Sequence, residues 1–464
     1  MAPQPAMHNI LSDDQQRRIL ARYGERTPES RKAHERAVRV LPGGVSRNIV
    51  HHAPYPLFIE SGRGAHLTDV DGNDYLDFIG NHTAMIVGNC APEVLAAVEE
   101  QLTRGTAWAA ATRAEAELAE QIVERLPSVE RVRFTASGSE AAMLGVRVAR
   151  AFTGRSLVAK FEGGYHGLSE FAMVSVAPDP AKAGPAKAPI GVAANGIPAA
   201  VRDGVVILPF NDPAAVESIV QRHAADLAAI VVEPVMGAGG VIPSMDDFLG
   251  FLRRLTQQHG ILLVFDEVIT MRLSYGGAQA LFGVTPDLTL LGKIIGGGYP
   301  IGAVAGRADI MEMFNPTRPD AVLLSGTFHA NPVALAAGMA TLRLATAEAL
   351  DQLNERCQRL MRDVEAILDA ARTPLRVTSV GSLFNLHATD APVTDYRSSA
   401  RSNKEMMKWL RLALLNEGVM LSPRGMGCLS LPMTDADLRS FTAALERALA
   451  AVGAAASPAA AVAE

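Results

Sequence analysis

The chain is poor in cysteine, with only Cys90, Cys357 and Cys428 among 464 residues. Three scattered thiols supply neither a disulfide framework nor a zinc ligand set, so no metal centre is expected and a reducing, cytoplasmic compartment is. Positive charge is also scarce. Forty-three Lys and Arg face 49 Asp and Glu, a formal net charge of −6, which excludes the strongly basic footprint of a nucleic-acid binder. No apolar run comes near the roughly 18 residues that a membrane helix needs, so no membrane partner is expected. Met1 to Asp14 shows no basic stretch followed by an apolar core, and hence no secretory signal. There is no internal repeat of fixed period, and neither a Walker motif nor G-x-G-x-x-G occurs.

What is present reads as alternating strands and helices. Short apolar runs recur at Arg131–Phe134, Leu157–Lys160, Ala229–Val232, Ile261–Phe265 and Leu288–Leu291. Their near-continuous apolarity predicts strands covered on both faces of a mostly parallel sheet. Helical patterns lie between them. Pro92 opens one, with Val94, Ala97, Val98 and Leu102 on its stripe, and Ser244 opens another, with Asp247 as capping-box partner and Gly260 as its end. This alternation predicts an α/β domain at about 81–328. The turn-rich stretch before residue 80, which includes Asp69-Val-Asp-Gly-Asn73, reads as an antiparallel hairpin region. Residues 1–80 and 329–450 are then expected to form one small discontinuous α+β domain, and 451–464 a flexible Ala-rich tail.

Four β-α junctions carry chemistry. Asp266 and Lys293 each follow a buried strand, where open α/β sheets place ligands. Lysine is seldom buried without function, and Gly296, Gly297 and Gly298 behind this one suggest backbone close to a ligand. Ser137-Gly-Ser139 would open a helix with amides and hydroxyls pointing outward, which suits a phosphate, although an ordinary serine cap has the same signature. Glu162-Gly-Gly-Tyr-His-Gly167 sets an aromatic ring and an imidazole among glycines, fit to lie against a planar group or simply to turn tightly.

Taken in order, Ser137-Gly-Ser-Glu140, Gly164-Tyr-His-Gly167, Val232-Glu-Pro234, Phe265-Asp-Glu-Val268, Leu291-Gly-Lys-Ile-Ile-Gly-Gly-Gly298 and Ser325-Gly-Thr-Phe328 resemble the class III aminotransferases of fold type I, which use pyridoxal 5′-phosphate. The resemblance implies a role for each matching residue. Lys293 would form the Schiff base with the cofactor and shuttle the proton, and Asp266 would pair with the pyridine nitrogen. Ser137, Gly138 and Ser139 would hold the phosphate. Tyr165 would stack on the ring with His166 beside it, and Val268 would pack on the other face. Thr327 would reach the phosphate of a second subunit, which implies a homodimer with shared sites.

Two subgroups compete. Leu41-Pro-Gly-Gly-Val45, Gly276-Gly-Ala-Gln279 and Gly283-Val-Thr-Pro-Asp-Leu288 resemble glutamate-1-semialdehyde 2,1-aminomutase. Ser46-Arg47, Ala53-Pro-Tyr-Pro-Leu57 and Leu421-Ser-Pro-Arg-Gly425 resemble the β-amino-acid (β-phenylalanine) aminotransferases. The latter resemblance implies a β-amino acid as amino donor and a keto acid such as 2-oxoglutarate as acceptor, each carboxylate held by Arg47 or Arg424. A guanidinium suits that task through two parallel charge-assisted hydrogen bonds. Arg272 is a third arginine of interest, expected in a structural ion pair. His82 is expected in the wall of the substrate pocket, and Met236 stands where many members carry glutamine.

Overall fold

The computed structural model describes residues 11–453. The expected tail lies outside the described residues from position 454 onward, as does the segment 1–10. At the centre is a seven-stranded sheet. Its spatial order is Arg131–Thr135, Gly302–Gly306, Leu288–Gly292, Leu262–Asp266, Leu227–Val232, Leu157–Phe161 and Val205–Leu208. All pairings are parallel except the two made by Gly302–Gly306, which is antiparallel to both of its neighbours. Every residue of Leu227–Val232, Leu262–Asp266, Leu288–Gly292 and Gly302–Gly306 is buried. That is why these runs are almost purely apolar rather than alternating.

The five expected strands are all there, with ends shifted by a residue or two. Two further strands escape the pattern. Gly302-Ala-Val-Ala-Gly306 has poor strand propensity, yet its neighbours provide a ladder on both sides. Its small residues also serve close approach: a Cβ at Gly302 would stand 2.2 Å from the Ser137 carbonyl oxygen.

Helices cover the sheet. Gly138–Thr153 presents Ala141, Ala142, Leu144, Val148 and Ala149 to it and ends at left-handed Gly154. Pro92–Arg104 buries Val94 and Val98, but Leu102, expected on its stripe, is exposed. The helix after Ser244 also differs from expectation. It spans Phe248–His259, and Asp247 sits left-handed at its start without any side-chain cap bond. The Ser244 hydroxyl instead donates to the Pro234 carbonyl at 2.6 Å. A tertiary acceptor has outcompeted the local cap.

The segment before residue 80 forms the expected antiparallel strands Ile59–Arg63, His66–Asp69 and Asp74–Asp77. The Asp69 carboxylate closes the turn by accepting from the amides of Asp71 (3.0 Å) and Asn73 (2.8 Å). Val419–Met420 then adds in parallel to Asp74–Asp77, so early and late chain share one sheet. A second antiparallel sheet joins Arg376–Val380, Leu383–His387 and Met426–Cys428. Among the described residues no single helix is long and apolar enough to cross a membrane.

His66 ties the early hairpin to the last helix. Its Nδ1 is 2.7 Å from Asp74 Oδ2 and its Nε2 3.2 Å from Asp437 Oδ1. Partial burial lowers the imidazole pKa, but the hydrogen bonds and charges of the two carboxylates outweigh it and the net shift is upward. A raised folded pKa gives stability that is full below the unfolded value and lost as pH climbs through the folded one. The melting-temperature advantage of the native protein over His66→Gln should therefore be largest near about pH 6 and shrink by about pH 9. Its magnitude should be small, because the pair is partly exposed. An advantage that grows with pH would refute the assignment.

Candidate active site

Six strands that run in one direction deliver their carboxyl ends to one edge of the sheet. Leu262–Asp266 ends in Asp266, and Leu288–Gly292 runs directly into Lys293. Lys293 is held at φ 50, a left-handed conformation that lysine rarely adopts, and opens the short 3₁₀ turn Lys293–Gly296. Burial lowers the pKa of its ammonium, opposed by the charges of Asp266 and Glu233. A lysine so placed yields a free amine more readily than one in water. Asp266 is buried. One carboxylate oxygen accepts from the Val268 amide at 3.1 Å, and the other lies 2.8 Å from His166 Nδ1. His166 Nε2 is buried and has no hydrogen-bond partner among the described residues.

The other junctions close around this pair. Ser137 caps the helix Gly138–Thr153, its hydroxyl accepting from the Glu140 amide at 3.2 Å. The plain serine cap is thus present, and it does not conflict with an anion at the same helix N-terminus. Ser139 Oγ accepts from the Leu168 amide at 3.2 Å, which ties the cup to the aromatic loop. At Gly167 (φ +86) a Cβ would come within 2.4 Å of that same Oγ. Only glycine lets the loop approach so closely. Val268 touches both Gly138 and Gly292, where added Cβ atoms would lie 3.2 and 3.3 Å from its methyl groups. Tyr165 remains 39% exposed, so its ring is available to a ligand.

The candidate substrate residues enter from the flanks. Arg47 donates to Asn81 Oδ1 at 2.8 Å. Arg424 donates to the Ala238 carbonyl at 3.3 Å. Both are exposed, and neither forms an ion pair with a described residue. His82 is held neutral, its pKa pushed down to about 4 by burial and by the charges of Arg47 and Lys293. Met236 is buried in the core of the sheet's flank. Thr327 is exposed in the single chain and makes no described hydrogen bond. Arg272 departs from expectation: it is fully buried but has no ion pair. Its guanidinium donates to Ser382 Oγ (3.0 Å), to the Thr83 carbonyl (3.2 Å) and to the Leu429 carbonyl. Neutral acceptors from three segments satisfy it where no carboxylate reaches.

Residues 48–449 match the family model described as aminotransferase class-III. This chain is a class III aminotransferase. A glutamate-1-semialdehyde 2,1-aminomutase 2 of Exiguobacterium sibiricum is 38% identical over 425 residues, 90% of this chain and 95% of that one. Among solved structures, an omega-transaminase from Sphaerobacter thermophilus is 43% identical with a TM-score of 0.88, covering 91% of this chain and 98% of the other. A β-phenylalanine aminotransferase from Variovorax paradoxus is 37% identical with a TM-score of 0.87, covering 95% and 98%.

Class III aminotransferases are pyridoxal-phosphate enzymes, and the residues of this aminotransferase fit that cofactor. Lys293, its pKa lowered by burial, lies in the field of Asp266, Val268 packs against Gly138 and Gly292, and Gly138 opens the helix N-terminus capped by Ser137.

Two buried groups in the aminotransferase escaped the sequence reading. Glu233, noticed only as part of a motif, accepts from the amides of Tyr165 (2.9 Å) and Gly237 (3.0 Å). Burial holds its carboxyl above the usual carboxylate range, with His166 opposing and Asp266 reinforcing the shift. It therefore anchors the backbone of the aromatic loop. Lys160 lies inside a strand, fully buried, and donates to the carbonyls of Gly164, Ala172 and Val174 at 2.8 Å each. A charged residue in the otherwise apolar run Leu157-Val-Ala-Lys160 was the available signal. From outside, Arg397 grips Glu162 with two hydrogen bonds of 2.7 and 2.9 Å. The loop bearing Tyr165 and His166 is thus fixed by groups far away in sequence.

Proposed function

We propose that this enzyme moves an amino group from a β-amino acid, β-phenylalanine-like, to 2-oxoglutarate by a ping-pong mechanism. The observation that supports it is the pair of exposed guanidiniums, Arg47 and Arg424, on different segments and free of described carboxylate partners. A β-amino donor and an α-keto acceptor carry their carboxylates at different distances from the reacting carbon. One site that accepts both needs two anchors, and arginine is the residue suited to each.

When bound, pyridoxal phosphate supplies a ring that withdraws the electron pair released at the substrate carbon. The remaining work falls to side chains. Lys293 offers the amine that holds the cofactor and moves the proton at the reacting carbon. Asp266, braced by His166, keeps a proton on the ring nitrogen. Ser137, Gly138 and Ser139 hold the phosphate, and Tyr165 and Val268 enclose the ring. Thr327 completes the phosphate site of a second copy, which makes the working unit a homodimer. His82, neutral, lines the donor pocket without competing for carboxylate. The same proposal includes the division into a large domain, 81–328, and a discontinuous small one, 1–80 with 329–450, and a cytoplasmic location.

Glutamate-1-semialdehyde aminomutation is the second reading, favoured by the identity to the Exiguobacterium sibiricum aminomutase. One assay separates them. Incubation with β-phenylalanine and 2-oxoglutarate should yield glutamate. Conversion of glutamate-1-semialdehyde without any acceptor, and no glutamate from the pair, would reverse the reading. In the same assay, Arg424→Ala should lower kcat/KM for 2-oxoglutarate by about 10²-fold, the value of a charge-assisted bond near 3 kcal/mol. An unchanged constant would remove Arg424 from the site.

A further inference from the structure

Residues Gly80, Asn81, His82 and Thr83 have φ of 50, 46, 55 and 75°. Four consecutive residues therefore lie in the left-handed region, three of them not glycine. Side chains resist that conformation, and runs of it persist only where the surroundings impose it. Here they do. The Asp77 carboxylate accepts from the amides of Ile79 (2.9 Å) and Gly80 (3.0 Å), fixing the entry. Buried Arg272 donates to the Thr83 carbonyl and simultaneously to Ser382 and Leu429, fixing the exit. The Thr83 hydroxyl is buried with no described partner, a polar group the turn sacrifices to its shape.

The geometry is spent on two side chains. Asn81 Oδ1 receives the Arg47 Nη1 bond at 2.8 Å. His82, next in the chain, lies within the field of both Arg47 and Lys293. We infer that the left-handed turn 80–83 is a positioning device for the Arg47 guanidinium, and that Asn81 is the residue that aims it at a substrate carboxylate. An amide oxygen can orient a guanidinium while leaving its charge and its remaining N–H donors for the ligand; a carboxylate in the same place would neutralise it. Asparagine also tolerates the left-handed region better than most residues. The inference rests on the reading of Arg47 as a carboxylate anchor.

The test uses the holoenzyme and 3-phenylpropionate, a carboxylate that cannot react, with 1-phenylethylamine as a carboxylate-free comparison. Asn81→Gly keeps the backbone conformation accessible and deletes the amide. It should weaken 3-phenylpropionate by about 10-fold relative to 1-phenylethylamine and raise the KM of the β-amino acid more than it lowers kcat. Asn81→Asp should weaken the probe further, and both effects should vanish in an Arg47→Ala background, where the two changes are no longer independent. Wild-type probe affinity in Asn81→Gly and Asn81→Asp, with Arg47→Ala impaired, would overturn the inference while leaving the proposed function standing. The same holds if the Asn81 effects survive without Arg47. Wild-type affinity in Arg47→Ala would instead refute Arg47 as the carboxylate anchor, and the inference with it.

Discussion

Lys293→Ala should reduce turnover by about 10⁴-fold or more, the upper end of what one positioned proton-transfer group contributes, since this amine has a second task as well. The lysine sits at the end of a fully buried strand, with a lowered pKa and two carboxylates in its field. No other lysine can substitute. Lys160 is buried too, but all its donors are engaged by the carbonyls of Gly164, Ala172 and Val174. Borohydride treatment of the native holoenzyme should attach the cofactor irreversibly to the protein, and the same treatment of Lys293→Ala should not. The variant should still bind pyridoxal phosphate, because Ser137–Ser139, proposed to hold its phosphate, are untouched. Full activity, or a reduced adduct found elsewhere in the chain, would end the assignment.

Asp266→Asn should lower kcat by about 10³-fold, in the range seen when one electrostatic contact to a developing charge is removed. The substitution is nearly isosteric. The amide oxygen can still accept from His166 Nδ1, now 2.8 Å from the carboxylate, so the fold should hold and the melting temperature change little. What is lost is the negative charge that, in the proposed mechanism, holds a proton on the ring nitrogen. A cofactor methylated at that nitrogen carries its charge permanently and should recover much of the rate in Asp266→Asn. Absence of recovery, with normal cofactor content, would mean that Asp266 serves a structural role only.

Much of the site could be read along the chain because of how parallel strands work. Each strand end falls at the same sheet edge, so residues just after five apolar runs become neighbours whatever lies between them. The placement of Asp266, Lys293, Ser137 and His166 at that edge was legible for that reason. Glycine spacing carried similar information, since Gly167 and Gly292 mark places where backbone must approach closely.

Other features had no local signature. Gly302–Gly306 is a strand only because two neighbours pair with it. Ser244 looked like a cap, but the Pro234 carbonyl claimed its hydroxyl. Arg272 looked like half of an ion pair, and three neutral acceptors from separate segments satisfy it instead.

The amino-acid sequence alone determined the α/β alternation, which periodicity carries, and, through the motifs that resemble class III aminotransferases, the fold type and the cofactor. The tertiary structure alone decided the left-handed turn at 80–83, the burial of Glu233 and the freedom of Arg47 and Arg424 from carboxylates. Each of these depends on which distant groups arrive at the same point, and hydrogen-bond partners 34 to 189 residues apart, as for Arg47 with Asn81 and Arg272 with Thr83, leave no trace in local spacing.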